Sequence, residues 1–112
     1  MTGVQTCALP ISLLRPQLGD HIIELGAGIG TFSGRLMGRR VRYVAVEQDP
    51  IHLHALRNRF LRTPNVVVSD SSEWDSEFDS AIAINVLEGL AEPEAALAQM
   101  HKALKTDRKS VV

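Results

Sequence analysis

Cysteine, aromatic residues and surplus charge are all scarce in this chain. Cys7 is its single cysteine, so no disulfide framework can form, and no CxxC or clustered His/Cys spacing offers a zinc site. Aromatic residues are 4% of the 112 residues and the formal net charge is −1, so no excess of one sign demands a nucleic-acid or membrane partner. No run approaches the ~20 apolar residues of a membrane span. The first residues, MTGVQTCALPISLL, lack the basic start and sustained apolar run of a secretory signal. His52 and His54 would face different sides of a helix, which reads as surface rather than as a ligand pair. What is expected is one domain in a reducing, cytoplasmic setting, with no metal and no membrane span.

Both ends stand apart from the rest. TGVQTCALPI (2–11) and DRKSVV (107–112) resemble translated sequencing-library adapters; the plainer alternative is two ordinary tails. With 1–11 and 107–112 set aside from fold reasoning as artefactual tails, the domain is expected to span 12–106 and to be cut on its C-terminal side.

Along 12–106, apolar patterning alternates in type. Leu13, Leu14 and Leu18 suggest the end of a short helix, closed by the turn Leu18-Gly19-Asp20. Strands are expected at 21–25, 41–46 (VRYVAV), 65–69 (NVVVS) and 80–85 (SAIAIN). Helices are expected at 31–38, from Pro50 onward behind a capping Asp49, and at 93–105. The strands are apolar runs rather than polar–apolar alternations, the pattern of a parallel sheet covered on both faces. The fold class is therefore α/β: a Rossmann-like, doubly wound parallel sheet of about four strands with flanking helices, incomplete. Arginines concentrate early (Arg35, Arg39, Arg40, Arg42, Arg57, Arg59, Arg62) and acids later, but they sit at helix and strand ends where solvated faces carry charge. Nucleic acid is therefore not expected as a partner.

The stretch ELGAGIG (24–30) carries the chemistry. Gly26, Gly28 and Gly30 follow the first expected strand, at the carboxyl edge where parallel sheets hold ligands. Glycine lets a ligand approach the backbone, and the following helix offers free N–H groups to an anionic end. The second strand leads to Glu47, placed to accept two ribose hydroxyls; the third ends at Asp70 and the fourth at Asn85. Four strands thus deliver Glu24, Glu47, Asp70 and Asn85 to one edge. A ribose and adenine suit either a dinucleotide or S-adenosylmethionine. GxGxxG is absent in both frames, since Thr31 and Ser33 occupy the third glycine's place. Glu24 would also repel a pyrophosphate, whereas it would welcome an ammonium group such as that of a methionine.

HIIELGAGIGTFSGRL, YVAVEQDP, NVVVSD and FDSAIAINVLEGLAEPEAALAQMHKALK together resemble the class I S-adenosylmethionine-dependent methyltransferases. That resemblance implies S-adenosyl-L-methionine as cofactor and an enzyme that transfers its methyl group. It implies that Glu24, Gly26, Ala27 and Gly28 flank the methionine moiety and that Glu47 takes the ribose hydroxyls. Asp70 would meet the adenine amino group, the Ser71 backbone would lie beside the ring, and Asn85 would lie beneath the methionine part. No catalytic residue is assigned; Glu88 and His101 are the nearby candidates for a base, each better read as a surface group. Trp74 would either lie over the adenine or pack under its loop, the latter preferred.

Departures qualify the resemblance. Gly89 stands where relatives often carry His, and the ALKT segment runs into DRKSVV where relatives turn into a fifth strand. Without that strand, 80–86 would be an exposed sheet edge, an aggregation hazard, and this chain would have weak or absent activity. Enzymes acting on base amino groups carry Asn-Pro-Pro-aromatic after the fourth strand, where this chain has Asn85-Val86-Leu87-Glu88. The expected acceptor is therefore a small molecule, a lipid-like quinone or a sugar. The competing readings are an NAD(P)-dependent oxidoreductase or epimerase and a non-catalytic nucleotide-binding domain.

Overall fold

The computed structural model describes residues 3–4, 19–38, 40–71, 73–83, 93–105 and 110–111. The expected helix end at Leu13, Leu14 and Leu18, and also Asn85, Glu88 and Gly89, lie outside them. Among the described residues, six parallel strands form one sheet: β1 (Gly3–Val4), β2 (His21–Leu25), β3 (Arg42–Val46), β4 (Val66–Ser69), β5 (Ser80–Ile82) and β6 (Ser110–Val111). Their order is β1-β6-β5-β2-β3-β4. The chain steps outward from β2 through β3 to β4, then returns to the other side of β2 with β5. The strand order therefore reverses beside β2, the place where open α/β sheets leave a crevice beyond their carboxyl ends.

Side-chain parity explains why these runs are apolar throughout. Ile22, Tyr43, Ala45 and Ile82 face one side, against Leu36 of α1 (Thr31–Leu36) and Leu56 of α2 (Pro50–Arg59), with Phe60 just beyond it. Ile23, Leu25, Val44, Val46 and Ala81 face the other, against Phe78 and against Met100 and Ala103 of α3 (Pro93–Ala103). Successive strand residues point oppositely, so burial of both faces requires apolar residues at both parities.

Local chemistry sets the helix limits. Asp49 caps α2, its carboxylate accepting from the N–H groups of Ile51 (2.9 Å) and His52 (3.5 Å), with Pro50 in the first turn. That satisfies donors a helix start leaves free. Helix α1 stops at Leu36, two residues short of the expected end, and Gly38 turns away at φ 41°.

One expectation about the sheet is overturned. β5 is not an open edge: Ser80 pairs with Ser110 and Ala81 with Val111. β6 in turn pairs with β1, so short segments from both ends of the chain continue the sheet. The two pairs satisfy β5 backbone groups that would otherwise face outward.

Candidate cofactor-binding site

The register fixes which residues emerge together at the carboxyl edge. Leu25 pairs with Val46, and Val46 with Ser69, so Gly26, Glu47 and Asp70 leave neighbouring strands at one level. The Glu47 N–H donates to Ser69 O (3.0 Å), which ties Glu47 directly beside Asp70.

The glycine turn folds back over β3. The Ala27 N–H donates to Val46 O (2.9 Å), and the Gly28 N–H donates to Glu47 Oε1 (2.7 Å). Gly28 and Gly30 are both left-handed, at φ 63° and 93°, but for different reasons. A Cβ on Gly30 would lie 2.8 Å from Phe60 Cε2, so that glycine lets the turn press onto α2. Among the described residues, a Cβ on Gly28 would meet nothing within 4 Å, so they leave its face open at the ligand edge. Glu47 is held by further backbone donors: Gln48 (3.0 Å) and Asp49 (2.9 Å) both bond Oε2. Three N–H groups thus engage a carboxylate with about four acceptor positions, which fixes its orientation and leaves little spare capacity.

Glu24 sits differently. It is 1% exposed, and its Oε1 accepts from Ser33 Oγ (2.5 Å) of α1 and from Tyr43 Oη (2.7 Å) of β3. Burial pushes its carboxyl above the usual range; the two hydroxyl bonds pull the other way, and the nearby Glu47 adds to the rise. Tyr43 is raised as well, first by its own burial and then by the adjacent carboxylate. Glu24 therefore braces the base of the glycine turn, linking β2, β3 and α1. The sequence reading passed over Ser33 and Tyr43. A tyrosine in an otherwise apolar strand is the usable signal, because a buried phenol needs a partner.

Asp70 is exposed, and among the described residues none bonds its carboxylate. Ser71 is exposed too; its N–H donates to Ser69 Oγ (3.1 Å), and its carbonyl accepts from the Trp74 indole N–H (2.8 Å). Trp74 packs edge-on against Phe78 with ring centroids 5.6 Å apart, and the Arg42 guanidinium lies 5.3 Å from the Trp74 centroid. It is a packing residue of the second face, as the sequence leads one to expect. Asn85 lies outside the described residues.

A parallel Rossmann-like sheet with a glycine turn and acids at its carboxyl edge defines an α/β nucleotide-type fold. Comparison with known proteins narrows it: a family model described as "Methyltransferase domain" matches residues 23–107, and the chain belongs to that family. It is 40% identical over 73 residues to a probable ribosomal RNA small subunit methyltransferase A of Methanosarcina acetivorans, covering 62% of this chain and 26% of that one. The chain thus spans about a quarter of that relative's length. Among solved structures, a TehB-like S-adenosylmethionine-dependent methyltransferase from Corynebacterium glutamicum matches at TM-score 0.68 and 25% identity, covering 87% of this chain and 56% of that one. The [4+2]-cyclase SpnF matches at TM-score 0.74 and 17% identity, over 85% of this chain and 40% of that one, a likeness of fold alone.

One expectation is corrected here. Nucleic acid was not expected as a partner, on balanced net charge and arginines at element ends. A relative that modifies ribosomal RNA overturns that exclusion. Net charge is an average, and it hides how charge is distributed between faces. No helix among the described residues is long and apolar enough to cross a membrane.

Proposed function

We propose that this chain is the cofactor-binding part of an S-adenosylmethionine-dependent methyltransferase, with RNA as the methyl acceptor. The observation that carries it is the in-register convergence of Gly26, Glu47 and Asp70, with open space at Gly28. In this reading Gly26, Ala27 and Gly28 line the methionine end, and Glu24 holds their turn from beneath. Glu47 takes the ribose hydroxyls, exchanging part of its bonding to Gln48 and Asp49 for them. Asp70 and Ser71 meet the adenine, and Asn85 lies toward the acceptor.

The cofactor supplies a methyl group on a sulfonium. With Gly26, Ala27 and Gly28 holding its methionine end and Glu47 its ribose, that methyl group would be presented as an electrophile toward the acceptor. The chain's own contribution is alignment of donor and acceptor, which is where much of the rate of such transfers arises.

RNA as acceptor is supported by the named activity of the Methanosarcina relative. A small, lipid-like or sugar acceptor is the second reading, favoured by Asn85-Val86-Leu87-Glu88, which departs from the turn of enzymes acting on base amino groups. Calorimetric titration separates cofactor classes: S-adenosylhomocysteine should bind and NAD should not, and NAD binding alone would refute the assignment. Transfer of a labelled methyl group into total RNA, against a lipid and sugar extract, then decides between acceptors.

A further inference from the structure

The two faces of the sheet differ in charge. On the first, α1 and α2 contain no Asp or Glu, while Arg35, Arg57 and Arg59 on them and Arg62 just beyond are all exposed. On the second, the crossover into β5 and helix α3 carry Glu73, Asp75, Glu77 and Glu94 beside the cations Arg42 and Lys102. Arg42 pairs with Glu77 (3.3 Å), whereas among the described residues none of the four first-face arginines meets a carboxylate.

The arginines also connect the two helices. A Cβ on Gly34 of α1 would lie 2.9 Å from Arg59 Nη2, so the α2 guanidinium lies over α1, one residue from Arg35. The aliphatic part of the same side chain comes within 3.0 Å of a Cβ position at Gly30, which places this basic strip against the glycine turn. Complementing the helix dipoles would account for Arg35 in the last turn of α1 and for Arg57 and Arg59 in the last turn of α2, but not for Arg62 outside any helix, nor for the two helices bringing their arginines together. The acid at the start of α2, Asp49, is about nine residues from the arginines, roughly 13 Å along the axis, and is engaged as the helix cap.

We propose that the α1–α2 face is an RNA-docking surface, on which Arg35, Arg57, Arg59 and Arg62 contact the phosphate backbone. The proposal rests on the RNA-acceptor reading above and names the surface that reading lacks. Four guanidinium groups and no lysine suit phosphate, because the planar fork pairs bidentately with its oxygens and stacks on unpaired bases. Such contacts carry no sequence information; they orient the strand so that a base is presented at the carboxyl edge of the sheet.

The test is fluorescence anisotropy of a fluorescein-labelled single-stranded RNA oligonucleotide with the full chain, at several salt concentrations. Arg57 and Arg62 are the positions to change, since Arg59 also packs on Gly34. Affinity should fall with salt, and Arg57→Gln/Arg62→Gln should flatten the log–log slope by about 0.7 per arginine removed. Arg57→Lys/Arg62→Lys should restore the slope, which a loss of packing would not allow. An unchanged slope in the Gln variant overturns the proposal, as does binding to phosphatidylserine vesicles without binding to RNA. Calorimetry with S-adenosylhomocysteine keeps the two readings apart. Cofactor binding without arginine-dependent RNA binding overturns the surface alone. Arginine-dependent RNA binding without cofactor binding supports the surface and sinks the cofactor assignment.

Discussion

Opposite ends of the sheet each hold a carboxylate, and the two are treated in opposite ways. At the amino end Asp79 is surrounded by donors: the His21 N–H (3.0 Å), the His21 ring (3.3 Å) and Lys105 Nζ (3.3 Å). Burial alone would raise its carboxyl, but these partners outweigh that and hold it below the usual range. At the carboxyl end Glu24 has hydroxyls for partners and its carboxyl is raised. One end thus closes the fold with an ion pair to Lys105 and hydrogen bonds from His21. The other accepts the cost of a dry carboxylate beneath a turn whose upper side stays open, as expected where a ligand is to be held.

The largest effect that would break this contrast comes from the turn itself. Gly30→Ala combines left-handed strain with a methyl group driven into Phe60, Arg59 and Leu56. It should cost about 2–4 kcal/mol in urea unfolding. Gly28→Ala meets open space and should cost only about 1–2 kcal/mol while weakening cofactor binding. Equal losses in the two variants would show that the Gly28 face is not open.

Next comes Glu47. Alanine there removes the acceptor for Gly28, Gln48 and Asp49 together with the proposed ribose partner. S-adenosylhomocysteine affinity should fall about 10–100-fold, the loss of roughly 1.5–3 kcal/mol. A smaller change would place the ribose elsewhere.

A milder probe acts on the brace. Tyr43→Phe leaves Glu24 with Ser33 alone and should cost about 1–2 kcal/mol by thermal unfolding. The pH dependence has a defined sign. The folded carboxyl of Glu24 lies above its ordinary 4.5, so its favourable contribution is complete below that value and declines as pH rises through the folded one. Glu24→Gln should remove that decline from a stability–pH series. Persistence of the decline would assign it to another group.

How far the sequence could have led depends on the kind of signal. The strand 21–25 was readable to the residue, because an apolar run lies between Gly19-Asp20 and the glycines. The start of α2 was equally plain, since Asp49-Pro50 combines a cap with a fixed φ. Register made Glu47 and Asp70 neighbours, as a parallel sheet requires of residues just past paired strand ends. What stayed hidden was long-range. Nothing in the two residues Ser110–Val111 is periodic enough to announce pairing with β5. The brace of Ser33, Tyr43 and Glu24 needs three elements in contact before any of its bonds exists. The arginine face needed the positions of α1 and α2, because along the chain those arginines are separated by a strand and a turn.

The smallest effect lies at the amino end and tests the other half of the contrast. Lys105 is one of several partners of Asp79 and its side chain is 38% exposed, so solvent already screens the pair. Lys105→Ala should cost less than about 1 kcal/mol at neutral pH. Asp79 has a lowered carboxyl, so its contribution is present above its ordinary 3.8 and is lost as pH falls through the folded value. Removing Lys105 weakens that lowering, and the acid limb of the stability–pH curve should be shallower and end at a higher pH in the variant. His21 still donates its backbone N–H, so the limb should move only part of the way toward the ordinary value. An acid limb that does not move would mean that the His21 bonds hold Asp79 without help from the ammonium group.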